Sequence, residues 1–127
     1  MKVFTSKSQK IGQTGENIAC KYLQSKGFLI IERNFTLRCG EIDIIASREG
    51  IIHFVEVKTV LYREKGYFIR PEDNMHRVKL RKFIRSCLVY VDMRHIADTT
   101  DWQVDVLAIE YDARAEKAYI RHIESVH

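Results

Sequence analysis

One proline, Pro71, stands in 127 residues, and no stretch is rich in glycine or serine. That excludes a proline-rich or flexible linker between domains, and the length suits a single domain over residues 1–127. Cysteine is nearly as scarce. Cys20, Cys39 and Cys87 are odd in number and far apart, with no CxxC pair. Neither a disulfide framework nor a zinc ribbon fits them, and reduced thiols are expected. No apolar run approaches the roughly 20 residues that cross a bilayer. Residues 1–10, MKVFTSKSQK, carry lysines but no apolar segment of the secretory kind, and read as a mobile basic arm. Repeats and low-complexity tracts are also missing. The expectation is a cytoplasmic chain with no membrane partner.

What is present suffices for a core. Apolar residues make up 46% of the chain, so the 30% that are charged do not imply disorder. The net charge of +4 favours anionic partners, nucleic acid among them. Thr14 is placed to cap a helix over residues 14–26, with Ile18, Ala19, Tyr22 and Leu23 on its apolar face and Gly27 where a C′ glycine belongs. Strands are expected at 28–34, 41–47 and 51–59, the last two joined through Arg48-Glu49-Gly50. Residues 60–70 read as a loop. Pro71 then opens a helix to about residue 92, with Glu72 and Asp73 in its first turn. Leu80, Phe83, Ile84, Cys87, Leu88 and Val91 follow a helical period and form its buried stripe. Residues 102–110 and 117–123 read as a closing hairpin. The order α-β-β-β-α-β-β gives an α/β fold: a central mixed sheet flanked by helices, its first three strands an antiparallel meander.

Chemistry concentrates in Glu41-Ile42-Asp43 and Glu56-Val57-Lys58. Side chains two apart on a strand share a face. With a two-residue turn at Glu49-Gly50, Arg48 opposes Ile51, Asp43 opposes Glu56 and Glu41 opposes Lys58. All four charges then lie on one face, at the end of an apolar surface formed by Ile45, Ile52 and Phe54. Facing carboxylates repel unless a cation lies between them, and oxygen ligands suit Mg²⁺ or Mn²⁺. Such an ion activates water and neutralises phosphate charge, while Lys58 stabilises developing negative charge. An isolated E-x-D or E-x-K is most often a solvated strand face; the pair of motifs across one turn is far less common. Glu16 falls within the apolar arc of the first helix, where a first-turn glutamate serving the macrodipole is the plainer explanation.

Together these residues resemble the YraN-like family of small bacterial proteins, of the restriction-endonuclease-like superfamily, similar in core to archaeal Holliday-junction resolvases. The resemblance runs from about Gly12 to Ile109. It rests on Gly12-x-x-Gly15-Glu16-x-x-Ala19, Tyr22-Leu23, Gly27 and Arg33-Asn34. It continues through Gly40-Glu41-Ile42-Asp43-Ile44-Ile45-Ala46, Phe54-Val55-Glu56-Val57-Lys58-Thr59, Lys79 and Val104-Asp105-Val106. It implies a restriction-endonuclease-like core in which Asp43 and Glu56 ligate the metal and Lys58 is the catalytic lysine. Glu16 is then the helix carboxylate that approaches the same metal, and the Val57 carbonyl a further ligand. Two positions depart from the pattern. Val60 and Gln103 stand where arginines are expected, which bears on substrate binding and activity rather than on the fold.

On the second helix Lys79, Arg81, Lys82 and Arg85 lie off the apolar stripe, and Lys79, Lys82 and Arg85 are candidates to track a phosphate backbone. A solvated helix face is the ordinary alternative. Arg33, Arg38, Arg63 and Arg70 lie in or near loops. Nothing resembles a base-reading motif, so binding would follow shape and backbone. His53 falls on the strand face opposite Glu56, where a satisfied core histidine is expected. His76, His95, His122 and His127 show no metal-type spacing. Asp105 reads either as a buried polar group or as a lysine partner. The expected function is Mg²⁺- or Mn²⁺-dependent cleavage of phosphodiester bonds, in DNA before RNA and with branched DNA as one substrate. The alternative is a nucleic-acid-binding or scaffold protein that keeps the fold without the chemistry. A resolvase would also require a homodimer, since opposed strands need two active sites.

Overall fold

The computed structural model of the protein describes residues 7–61 and 77–126. Helix α1 spans Lys7–Ser25, seven residues earlier at its start than the capping reading of Thr14. The Thr14 hydroxyl instead donates to the Lys10 carbonyl at 3.0 Å, one turn back inside the helix. Residues 7–10, expected in the mobile arm, are therefore helical, and residues 1–6 lie outside the described residues. The helix ends as expected. Gly27 has φ of +87°, Phe28 N–H donates to the Leu23 carbonyl and Gly27 N–H to the Gln24 carbonyl. This is a Schellman closure, which needs a left-handed residue at C′.

Five strands follow the expected order: β1 (Leu29–Leu37), β2 (Gly40–Arg48), β3 (Ile51–Leu61), β4 (Trp102–Asp112) and β5 (Lys117–Ile123). They lie in the sheet as β1-β2-β3-β4-β5. β1, β2 and β3 form the antiparallel meander, β3 and β4 run parallel, and β5 closes antiparallel on β4. Glu49 and Gly50 both have positive φ, +52° and +79°, and Arg48 pairs with Ile51. The tight two-residue hairpin is thus the one the sequence implied. Val60 and Leu61 extend β3 beyond the expected loop boundary, because the parallel ladder with β4 continues to Leu61–Tyr111.

Each face of the sheet buries its own core. Under α1, Ala19, Cys20, Leu23 and Phe28 pack on Ile44, Ala46, Val55, Leu107 and Ile109. Under helix α2 (Arg77–Met93), Phe83, Cys87 and Tyr90 pack on Ile42, Ile45, Ile52, Phe54 and Val104. The expected stripe is corrected at one position: Leu88 is 54% exposed, and Tyr90 takes the buried place. The Tyr90 ring meets Phe35 and Phe54 edge-on at 5.0 and 5.5 Å, a seam rotated away from Leu88. Pro71, Glu72 and Asp73, expected at the start of this helix, lie outside the described residues, as do Arg63, Arg70 and His76. Among the described residues no helix is long and apolar enough to cross a membrane.

Candidate metal centre

The β2–β3 ladder runs from Arg48–Ile51 to Ile44–Val55 and then stops. The next pair in register would be Asp43 and Glu56. There the strands fork, and the Val57 N–H donates to Asp43 Oδ2 at 2.8 Å. Strand alternation breaks at the same place, since Ile42 enters the α2 core and Ile44 the α1 core. Across from Asp43, Asn34 adopts φ of +51°, between the pairs Arg33–Ile44 and Phe35–Ile42. The single shared face expected from parity is therefore corrected. Asp43 reaches along the sheet toward the β3 backbone instead of standing in a row with its neighbours.

The fork brings Glu16 in from α1. Gly15 is buried against β3, and a Cβ there would overlap the Thr59 hydroxyl. Glycine permits this close approach, which carries the next residue to the site. One carboxylate oxygen each from Glu16, Glu41 and Asp43 lie within 4.8 Å of one another. Burial, then the negative charge of Glu56, push the Asp43 carboxyl up to about 8; Glu16 and Glu41 add to this, against the Val57 N–H. An all-oxygen donor set whose members repel one another is the chemistry that a hard divalent cation relieves. The residues fit Mg²⁺ or Mn²⁺.

Glu56 and Lys58 stand beside this group as an ion pair of 3.1 Å on one strand, both largely shielded. Lys58, expected beside Glu41, thus has its own strand's carboxylate as a close partner. Burial opposes the Lys58 charge, but the Lys79 amine and the Glu56 carboxylate outweigh it and raise its pKa. The hydrogen bond shared with Lys58, and then burial, lower that of Lys79. Lys79 therefore belongs to the site as well as to the helix surface. A cleft of about 200 Å³ joins the two, lined by Gly40, Glu41, Glu56, Lys79, Lys82 and Ser86. Arg85 is exposed one turn further along α2.

A second polar cluster was not legible in the sequence. Asp105, fully buried on β4, receives His53 Nδ1 at 2.6 Å and His122 Nε2 at 2.8 Å on Oδ2. Its Oδ1 accepts from Gln103 Nε2 at 2.8 Å and from the Ser125 N–H at 3.1 Å. Burial favours the protonated acid, but the bonds from His122, His53, Gln103 and Ser125 win and hold it down to about 2. Asp105 is thus a buried polar group, and Gln103, standing where an arginine was expected, is one of its donors. His53 is buried and satisfied, as its strand face suggested. The members are scattered over β3, β4, β5 and the segment after β5, and only His122-x-Glu124 is a local signal.

Comparison with known proteins places the chain in a family. The sequence pattern of the Uncharacterised protein family UPF0102 matches residues 15–109, from the close-packed glycine of α1 to the end of the β4 core. A UPF0102 protein of Coxiella burnetii is 36% identical over 107 residues, 84% of this chain and 87% of that one. One of Roseiflexus castenholzii is 32% identical over 119 residues, 94% of each chain. One of Campylobacter hominis is 40% identical over 106 residues, 81% of this chain and 86% of its own. These agree with the YraN-like resemblance, and the chain belongs to the UPF0102 family.

Proposed function

We propose that the protein is a Mg²⁺- or Mn²⁺-dependent nuclease that cleaves phosphodiester bonds in DNA, acting in the cytoplasm. The observation that carries this reading is the convergence of Glu16, Glu41 and Asp43 at the strand fork, beside Lys58. Asp43, Glu56, Glu16 and the Val57 carbonyl would hold the cation, with Glu41 in support. When bound, it supplies Lewis acidity toward a phosphate oxygen and toward water. The chain's own groups do the rest. Glu56 holds the Lys58 ammonium at the site, where it stabilises charge developing on the phosphate. Lys79 and Lys82 line the cleft, Arg85 lies exposed one turn beyond them, and the three would position the phosphate backbone.

The test is calorimetry with Mn²⁺ beside cleavage of linear, flapped and four-way DNA. Glu56→Gln should weaken Mn²⁺ binding at nearly unchanged side-chain volume. Lys58→Ala should keep Mn²⁺ binding while cleavage falls about 100-fold or more, the scale of one lost electrostatic group. Equal cleavage by Lys58→Ala would remove that lysine from the mechanism. The competing reading is a DNA-binding or scaffold protein that retains the fold, favoured by Val60 and Gln103 in place of the expected arginines. It takes over if the wild type binds no divalent cation and cuts none of these substrates. Preferential cutting of four-way DNA would call for a homodimer, read by sedimentation in the same buffer.

A further inference from the structure

The Asp105 cluster lies on the α1 side of the sheet, away from the fork. His53 sits four residues before Val57 on β3, about 13 Å along the strand. Tyr22, near the C-terminal end of α1 while Glu16 stands at its middle, meets the His122 ring at 6.3 Å. The two oxygens of Asp105 have separate partners. Oδ1 is fixed by the Gln103 amide and the Ser125 N–H. Oδ2 is the point on which His53 Nδ1 and His122 Nε2 converge, from the strands on either side. Glu124 adds a further oxygen, and one ligand atom from each of the four residues lies within 4.8 Å of the others.

We propose that His53, Asp105, His122 and Glu124 bind a divalent transition-metal ion of the zinc class, independently of the nuclease site. Two imidazole nitrogens with two carboxylate oxygens match the tetrahedral preference of Zn²⁺ and differ in kind from the all-oxygen fork. The ligands are preorganised. The His53 ring stands edge-to-face on Phe28 at 4.7 Å, and the Arg48 guanidinium covers that phenyl ring at 4.2 Å. Donors already orient Asp105 through its other oxygen, the outer support that metal-ligating carboxylates use. Access is from the Glu124 side: the His53 and Asp105 side chains are 3% and 0% exposed, those of His122 and Glu124 12% and 50%. Without metal, both imidazoles can donate N–H to Oδ2. To ligate, each ring presents the lone pair at that nitrogen, with its proton on the other nitrogen; a charged ring releases one proton to solvent. Arg48, 4.0 Å from Glu124, is the cation that competes for the fourth ligand.

The experiment uses full-length protein stripped with chelator, then titrated with Co²⁺ under excess Mg²⁺ to occupy the fork. Wild type should develop the visible absorption of tetrahedral Co²⁺ at one equivalent, and Zn²⁺ should bleach it. His122→Asn should weaken Co²⁺ binding by at least about 100-fold, at the top of the range seen even for outer-support residues. Glu124→Gln, at a half-exposed position, should weaken it by about 10-fold. X-ray absorption at the zinc edge of loaded wild type should show two imidazole ligands, a readout that survives if His122→Asn does not fold. A zinc shell of oxygen alone, no tetrahedral Co²⁺ band in wild type, or unchanged binding in a folded His122→Asn variant would each overturn the proposal. The cluster would then be a hydrogen-bonded staple for β3, β4 and β5.

Discussion

At Asp43 the two demands on a carboxylate, solvation and charge balance, are both unmet by the protein alone. Its folded pKa of about 8 lies above the unfolded value near 3.8, so the folded state retains a proton that the unfolded state has lost. The associated stability is fully present below about pH 4 and is lost as pH rises toward 8. In chelator, the melting temperature should therefore carry a downward component over that window, and Asp43→Asn should remove it. Added Mn²⁺ should raise the wild-type melting temperature more near pH 8 than near pH 5, because the ionised carboxylate is the ligand. Equal pH slopes for wild type and Asp43→Asn would mean that Asp43 is solvated. Glu41, Asp43 and Glu56 were legible as residue types in two short strand motifs. Their geometry was not, because parity assumes a regular strand and Asp43 sits where regularity ends. Asn34 opposite it has a left-handed backbone that alternating apolar residues do not announce.

Between elements, one close contact decides where Glu16 goes. Gly15→Ala would drive a methyl group into Thr59, and α1 would have to lift from β3. The expected cost is about 1–3 kcal/mol in denaturant melts, typical of overpacking. Mn²⁺ affinity should fall with it, since Glu16 moves with the helix. Adding Thr59→Ala should recover part of the loss, and a Gly15→Ala variant as stable as wild type would refute the contact. On the other face, Phe83→Ala should cost about 3–5 kcal/mol and Leu88→Ala less than about 0.5 kcal/mol, although the helical period assigns both to one stripe. The period locates a stripe only to within one side chain. Which edge is buried depends on the Phe35 and Phe54 rings of the sheet, which the helix meets through Tyr90.

Across the whole molecule, the acidic fork and the basic side of α2 meet in one cleft, so the proposed DNA contacts of α2 can be tested by their salt dependence with the carboxylates intact. Lys79, Lys82 and Arg85 as three phosphate contacts imply a log–log salt slope of about −3 for duplex affinity. Alanine at all three should flatten it, and a folded triple variant with an unchanged slope would take α2 out of the interface. The sequence by itself determined the element order, the β2–β3 hairpin and the closing glycine of α1. Each follows from local rules: period, turn chemistry and the backbone freedom of glycine. It also determined the candidate chemistry, because carboxylates and lysines keep their type wherever the chain puts them. Only the tertiary structure decided what meets what. The fork turns Asp43 off its expected face, Gly15 lets Glu16 approach, and Lys79 joins Lys58 from a distant helix. The parallel pairing of β3 with β4 and the return of β5 bring His53 and His122 onto Asp105, residues 52 and 17 positions away. Such contacts form between distant segments once the sheet is assembled, and no local pattern in the chain encodes them.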